Sequence, residues 1–177
     1  WALLTASVAF VVAPAATALA APANHRVEIR RTTGGIPHVK AKDWASLGYG
    51  AGYAFAQDNL CPLADAFVTV NGQRSRYFAP GENQLGFAAG SLTQNLKSDF
   101  FWQNVKDSKT VEKLVALKPP LGPEPNVRKT VEGYAAGYNR YLKDTGVKKL
   151  PDPRCRGKSW VRPITTMDLF RRYYQLS

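Results

Sequence analysis

The chain has 177 residues, room for roughly one domain, and carries 24 Lys+Arg against 13 Asp+Glu for a formal net charge of +11. No charged residue falls in positions 1–20, so the whole excess belongs to the segment from Ala21 onward. The basic residues form no run of five, and no RNP-like, zinc-finger or basic-zipper pattern accompanies them. That argues against a nucleic-acid module and leaves a soluble basic protein, or one that adsorbs to anionic polymers.

Residues 3–20 are uncharged, mostly apolar, and end in Ala18-Leu19-Ala20 before Ala21-Pro22. This small-x-small ending after an apolar core is the pattern a signal peptidase cuts. A membrane span needs ~20 strongly apolar residues, whereas Pro14 and an Ala-rich second half interrupt this one. Residues 1–20 are expected to be a signal peptide and 21–177 the mature segment, with an extracellular or periplasmic destination. The positive n-region is missing and the chain begins at Trp1 rather than Met, so a start upstream of Trp1 is expected. Cys61 and Cys155 would then meet an oxidising compartment, where an even count reads as one disulfide. Two free buried thiols are the alternative. A bridge closing so long a loop is worth ~4–5 kcal/mol in the chain-entropy model. Two isolated cysteines with His25 and His38 offer no metal-ligand spacing, so no metal is expected.

Val27-Glu28-Ile29-Arg30 alternates at period two, Thr33-Gly34-Gly35 supplies a turn, and Ile36 to Ala41 is a second extended run. A hairpin is predicted, with Pro37 at a strand start or edge. A helix follows from about Asp43, with Leu47, Ala51, Ala54, Phe55 and Asp58 at helical spacing. Gly48, Gly50 and Gly52 each cost ~1 kcal/mol inside it relative to Ala. They make sense where another backbone approaches closely, so this helix is expected to be buried. Asp58 near its end then needs partners, either as a hydrogen-bonded acid pinning the following turn or as a catalytic acid. Residues 63–70 are expected to continue the helix until Asn71-Gly72 breaks it.

Residues 79–90 read as loop, and 92–117 as a helix of weak periodicity containing Phe100-Phe101-Trp102. The proline-rich stretch 119–125 is a stiff connector. Val127, Val131, Tyr134, Tyr138 and Tyr141/Leu142 then form one apolar stripe of a helix closed by Gly146. Thr165-Thr166-Met167-Asp168 looks like a capping box opening a last helix, on which Leu169, Tyr173 and Leu176 share a face. That helix meets no stop signal before Ser177, so continuation beyond it is expected.

A search for nucleophilic constellations returns little: no G-x-S-x-G elbow and no H-E-x-x-H. Composition and spacing alone support an exported, disulfide-stapled, mainly helical segment.

Three stretches in order carry a resemblance that spacing cannot supply. The first is Arg30-Arg31-Thr32-Thr33-Gly34-Gly35-Ile36-Pro37-His38-Val39-Lys40-Ala41-Lys42-Asp43. The second is Leu47-Gly48-Tyr49-Gly50-Ala51-Gly52-Tyr53-Ala54-Phe55-Ala56-Gln57-Asp58-Asn59-Leu60-Cys61, continuing through Asn71-Gly72-Gln73-Arg74 to Phe78. The third is Val131-Glu132-Gly133-Tyr134-Ala135-Ala136-Gly137-Tyr138-Asn139-Arg140-Tyr141-Leu142. Together they resemble the light (α) chain of the penicillin acylase family of N-terminal-nucleophile hydrolases. The second stretch is similar to the branch holding acyl-homoserine-lactone acylases, aculeacin-type lipopeptide acylases and secreted penicillin V acylases.

The resemblance implies an α+β fold: a mainly helical light-chain fragment of an αββα hydrolase, its N-terminal hairpin joining the sheet of a heavy chain. It implies a self-cleaving precursor whose heavy (β) chain is the partner and begins with the nucleophilic serine, within a Gly-Ser-Asn context. The substrate implied is a small-molecule N-acyl amide, with no cofactor, no nucleic acid and no membrane span. No catalytic residue is then expected in this chain. Gly90-Ser91 is followed by Leu92 and precedes the third stretch, so it is not the processing site. The resemblance further implies that the last helix walls the acyl pocket, with Leu176 the best match and Tyr173 one turn earlier. Ordinary packing against the heavy chain is the alternative for each. Asp58 and His38 are expected to be structural, fixing the junction of hairpin and helix. A different class of reading is an exported basic binding protein without activity.

Overall fold

A computed structural model describes residues 24–82 and 94–177; the expected signal peptide and Gly90-Ser91 lie outside them. β1 (Val27–Arg31) and β2 (Pro37–Ala41) pair antiparallel, with Val27 opposite Ala41 and Arg31 opposite Pro37. Their turn closes with the Gly35 amide donating to the Thr32 carbonyl at 2.8 Å, and Gly35 takes the positive φ of 81° that a bulkier residue resists. Pro37 begins β2, as its missing donor predicts.

Asp43, in extended backbone, caps the next helix by accepting from the Ser46 amide at 2.8 Å. Helix α1 (Trp44–Val70) kinks at Asn59, where φ and ψ leave the helical region, and Pro62 deletes a donor just beyond. It ends at Asn71, followed by Gly72 with φ 63°.

The burial expected of α1 is present, but its route differs from the expected stripe. Phe55 is 46% exposed and Asp58 also faces solvent, while Ser46, Gly48, Gly50, Gly52, Ala54 and Ala56 are buried. Small residues bury two sides of the helix at once, because something packs on each. A Cβ on Gly48 or Gly52 would overlap the Thr130 or Tyr134 carbonyl of helix α5 (Pro125–Thr145). Reciprocally, a Cβ on Gly133 or Gly137 would overlap the Ala45 or Tyr49 carbonyl of α1. Gly50 points elsewhere, against Val27 and Val39 of the hairpin.

Asp58 pins the hairpin rather than the following turn. It accepts from Arg31 Nη1 at 3.0 Å, and the same guanidinium donates to the Gly35 carbonyl at 2.7 Å and to Gln57 Oε1 at 3.0 Å. His38 does not share the task expected of it: it is exposed on β2, and Arg31 makes the junction contacts.

The single helix expected over 92–117 is two. Helix α2 (Arg74–Tyr77) is one short turn, followed by α3 (Asn95–Asp107) and α4 (Thr110–Ala116). The break sits at Ser108, whose Oγ donates to the Val105 carbonyl and pairs with Thr110 Oγ1, and at Lys109, with φ 53°. Such local side-chain bonds compete with helix continuation. Helix α5 opens with Pro125 at its first position and stops at Gly146, φ 75°. Arg128 holds the connector ahead of it through the Val115, Leu117 and Pro123 carbonyls.

The core gathers Leu60, Phe67, Val70, Trp102, Val131, Tyr138, Leu142, Leu150 and Leu169. Cys61 and Cys155 are joined in a disulfide 94 residues apart in sequence, with Cα atoms 5.5 Å apart. The bridge fastens α1, just past its kink, to the loop after α5. Among the described residues the fold is thus α+β, mainly helical with one two-stranded sheet. No helix there is long and apolar enough to cross a membrane.

Candidate functional site

Helix α6 (Thr166–Leu176) opens on the capping box read from the sequence. Thr165 Oγ1 accepts from the Asp168 amide at 3.2 Å, while Asp168 Oδ2 accepts from the Thr165 amide at 2.8 Å. Helix α5 sets the entry: Asn139 accepts from the Ile164 amide and donates to the Ile164 carbonyl, both at 2.8 Å.

Below the cap lies a buried polar layer that sequence reasoning missed. Asp168, 2% exposed, accepts from Asn71 Nδ2 at 2.5 Å and faces Arg162 Nη2 at 3.5 Å. Arg171 donates from Nη1 to Asn71 Oδ1 at 3.3 Å and from Nη2 to Glu112 Oε1 of α4. Lys106 of α3 donates to the Asn71 carbonyl at 3.1 Å. The residue that ends α1 is therefore the hub to which α3 and α6 are tied. Asn71-Gly72 reads in sequence only as a helix breaker, which is why the hub escaped notice. A second knot surrounds buried Arg74, which donates to Asp65 at 2.9 Å, Asn95 at 2.7 Å and Thr69 at 3.0 Å.

Burial alone would raise the Asp168 carboxyl. The Thr165 amide, the Asn71 amide group and the Arg162 guanidinium outweigh it and hold the carboxyl below its ordinary 3.8. A carboxyl depressed by folding contributes stability above its unfolded pKa and loses it as pH falls through the lower folded value. Asp168→Asn is expected to cost ~2–3 kcal/mol at neutral pH, through the lost charge-assisted cap and weakened buried partners. The variant should also lose less stability than the parent on acidification from pH ~5 to ~3, a comparison that urea midpoints at the two pH values would make.

The opposite side of α6 is apolar and open. Leu169 in the first turn is packed at 4% exposure, but Tyr173 and Leu176 are 48% and 58% exposed. The shared face expected of these three is only partly used by this chain. Phe170 meets Tyr173 edge-on with centroids 6.5 Å apart, extending the apolar surface. A helix on a soluble body ordinarily buries its apolar side and wets its charges. The last turns of α6 follow this only in part: Phe170 and Tyr174 pack against the core, but Arg171 is bound inward and Tyr173 and Leu176 are left outside.

No catalytic grouping assembles among the described residues. His25 stacks on Tyr49 at 4.7 Å, His38 is exposed on its strand, and no group of three or more His, Cys, Asp or Glu could hold a metal. A cleft of about 120 Å³ beside the disulfide is lined by Gln57, Asp58, Pro62, Tyr141, Asp152 and Arg154, among others, and by no residue of α6. Its carboxylates are already engaged, Asp58 by Arg31 and Asp152 by Arg154.

Residues 26–172 match the penicillin amidase family. The chain is 40% identical to the aculeacin-A acylase of Actinoplanes utahensis, over 96% of this chain and 22% of that protein. It is 44% identical to the acyl-homoserine lactone acylase PvdQ of Pseudomonas syringae pv. syringae, over 94% of this chain and 20% of that one. It thus spans about a fifth of the length of these relatives. Among solved structures it resembles a thermostable penicillin G acylase from Alcaligenes faecalis, with a TM-score of 0.64 and 28% identity, covering 85% of this chain and 71% of that one. The chain belongs to the penicillin amidase family.

Proposed function

We propose, from that membership, that this chain is the light-chain part of an exported, self-processing hydrolase that cleaves the acyl side chain from N-acyl amides. The heavy chain of the same precursor supplies the reacting groups. Its N-terminal serine attacks the amide carbonyl, with its own α-amino group acting through water as base, since a free amine titrates near neutral pH. Heavy-chain donors stabilise the oxyanion. Water then hydrolyses the acyl-enzyme, so that a carboxylic acid and an amine leave. The substrates in view are acyl-homoserine lactones, lipopeptides or penicillins, in keeping with similar proteins named as acyl-homoserine lactone, aculeacin-A and penicillin G acylases.

The observation that carries the reading is the exposed Tyr173–Leu176 side of α6, an apolar surface without a partner among the described residues, on a helix whose Asp168 and Arg171 are bound inward. In the proposed enzyme this side lines the acyl pocket, and β1–β2 adds to the sheet of the αββα core. This chain alone then hydrolyses nothing.

The test is to express the full-length precursor. Mass spectrometry is expected to find two chains, the heavier beginning with serine, and incubation with acyl-homoserine lactones is expected to release fatty acid. A single unprocessed chain, or no acid release from any N-acyl amide offered, would refute the proposal. In the processed enzyme, Leu176→Ala is expected to raise KM for the preferred acyl chain about tenfold with kcat little changed, the pattern of lost uniform binding.

A further inference from the structure

We infer that the Glu112–Arg171 ion pair is a positioning device that fixes how far α6 stands into the acyl pocket and so sets the acyl-chain length the enzyme prefers. The inference rests on the wall reading of Tyr173 and Leu176, and deepens it. Its basis is the arrangement behind the wall. Arg171 lies on roughly the opposite side of α6 from Tyr173 and Leu176, as two and five residues at 3.6 per turn require. Its guanidinium spans two other elements, bonding Glu112 of α4 and Asn71 at the end of α1. Helix α6 is thereby held at a set distance from α4 along the line that points out through the wall.

The pair's contribution to stability is modest: burial opposes it, although the backbone amide of Glu112 and the Arg171 guanidinium still hold the Glu112 carboxyl below its ordinary value. The Arg171 and Glu112 side chains are only 14% and 30% exposed, yet Arg171 Nε and Glu112 Oε2 find no hydrogen-bond partner among the described residues. A largely desolvated pair with unmatched atoms adds little to stability, and two apolar side chains of similar volume commonly replace such a pair at no loss. What the pair does supply is direction: the hydrogen bonds fix one separation and one rotation, which apolar packing leaves looser. Tyr174, which touches Trp102 of α3 edge-on at 6.2 Å, is the apolar contact next to it on the inner side. The depth of a hydrophobic pocket changes by about one methylene for each ångström or so that its wall moves. One methylene distinguishes substrates by ~10–200-fold, so small displacements of α6 are enough to reorder chain lengths.

The experiment uses the processed two-chain enzyme and acyl-homoserine lactones from butanoyl to dodecanoyl. The double variant Glu112→Leu/Arg171→Met is expected to melt somewhat below the parent, because it also removes the bond to buried Asn71, but to fold and process. The ratio of kcat/KM between the longest and shortest chains is expected to shift about tenfold, the change lying in KM. Arg171→Lys, which keeps the charge, is expected to restore part of the parental ratio. An unchanged ratio overturns the inference, as does a uniform fall at every chain length, with or without a lower melting temperature. Leu176→Ala in the same series separates the two readings. If it shifts the ratio and the pair variants do not, only the positioning role falls. If neither shifts it, the wall itself is wrong.

Discussion

Gly137→Ala is expected to destabilise the folded chain by ~3 kcal/mol or more, the upper end of what overpacking costs. The intrinsic effect of the change runs the other way, because Ala is favoured over Gly by ~1 kcal/mol in a helix interior. A net loss would therefore report the helix crossing and nothing local. The obstacle is the Tyr49 carbonyl, with the Tyr53 amide close behind, and neither can rotate aside as a side chain could. Relief requires α1 and α5 to move apart, which would open contacts along the most extensive helix pair among the described residues. Gly50→Ala should be milder, since its new methyl would meet methyl groups of Val27 and Val39. Gly81→Ala should be neutral, as nothing among the described residues lies within 4 Å of the added carbon. Guanidinium midpoints of the processed enzyme carrying each change should rank in that order. Equal midpoints for the Gly137 and Gly81 variants would remove the crossing from any account of stability.

The second large effect concerns the disulfide. Replacing Cys61 and Cys155 by alanine is expected to cost ~4–5 kcal/mol, the loop-closure entropy that the chain-entropy model assigns to a span of 94 residues. The span encloses α3, α4 and α5, so the open chain gains freedom across most of the helical body. Both cysteines are buried, at 6% and 0% exposure, and reductant should therefore act slowly on the folded protein and quickly once denaturant loosens it. The comparison is between midpoints of parent and variant, with and without dithiothreitol. The parent with reductant should fall to the variant's value. A variant that matches the oxidised parent would show that the bridge contributes nothing.

Much of this architecture is legible in the residues, and the reasons differ from place to place. The hairpin is local, set by alternation, a Gly-Gly turn and Pro37. So is the capping box, whose two partners lie three residues apart. The spacing of Gly48 and Gly52 announces a close approach, but not that Gly133 and Gly137 answer it. Reading the apolar residues of α1 as a buried stripe misplaced Phe55, because small residues carry the packing there and large ones face out. The split at Ser108 turns on one hydroxyl and one residue at φ 53°, signals too weak for a periodicity to show. The polar layer beneath α6 is the least legible part. Its members, Asn71, Lys106, Glu112, Asp168 and Arg171, are scattered over a hundred residues and look individually like ordinary surface polar groups. The other side of α6 shows in the sequence as an apolar face, though not as an exposed one.

The glycine crossing has one more consequence, mechanical in kind. Helix α1 is clasped between α5 on one side, where carbonyl groups make the first contact, and the hairpin on the other, where the Val27 and Val39 side chains do. Side chains can change rotamer and absorb a shift, but backbone resting on backbone has no such give. Asn139 of α5 in turn grips the entry to α6. The two long helices and α6 thus form a train of parts with little play, while the strands meet it through side chains that can give. A displacement of α1 would be passed through α5 to the start of α6 with little loss.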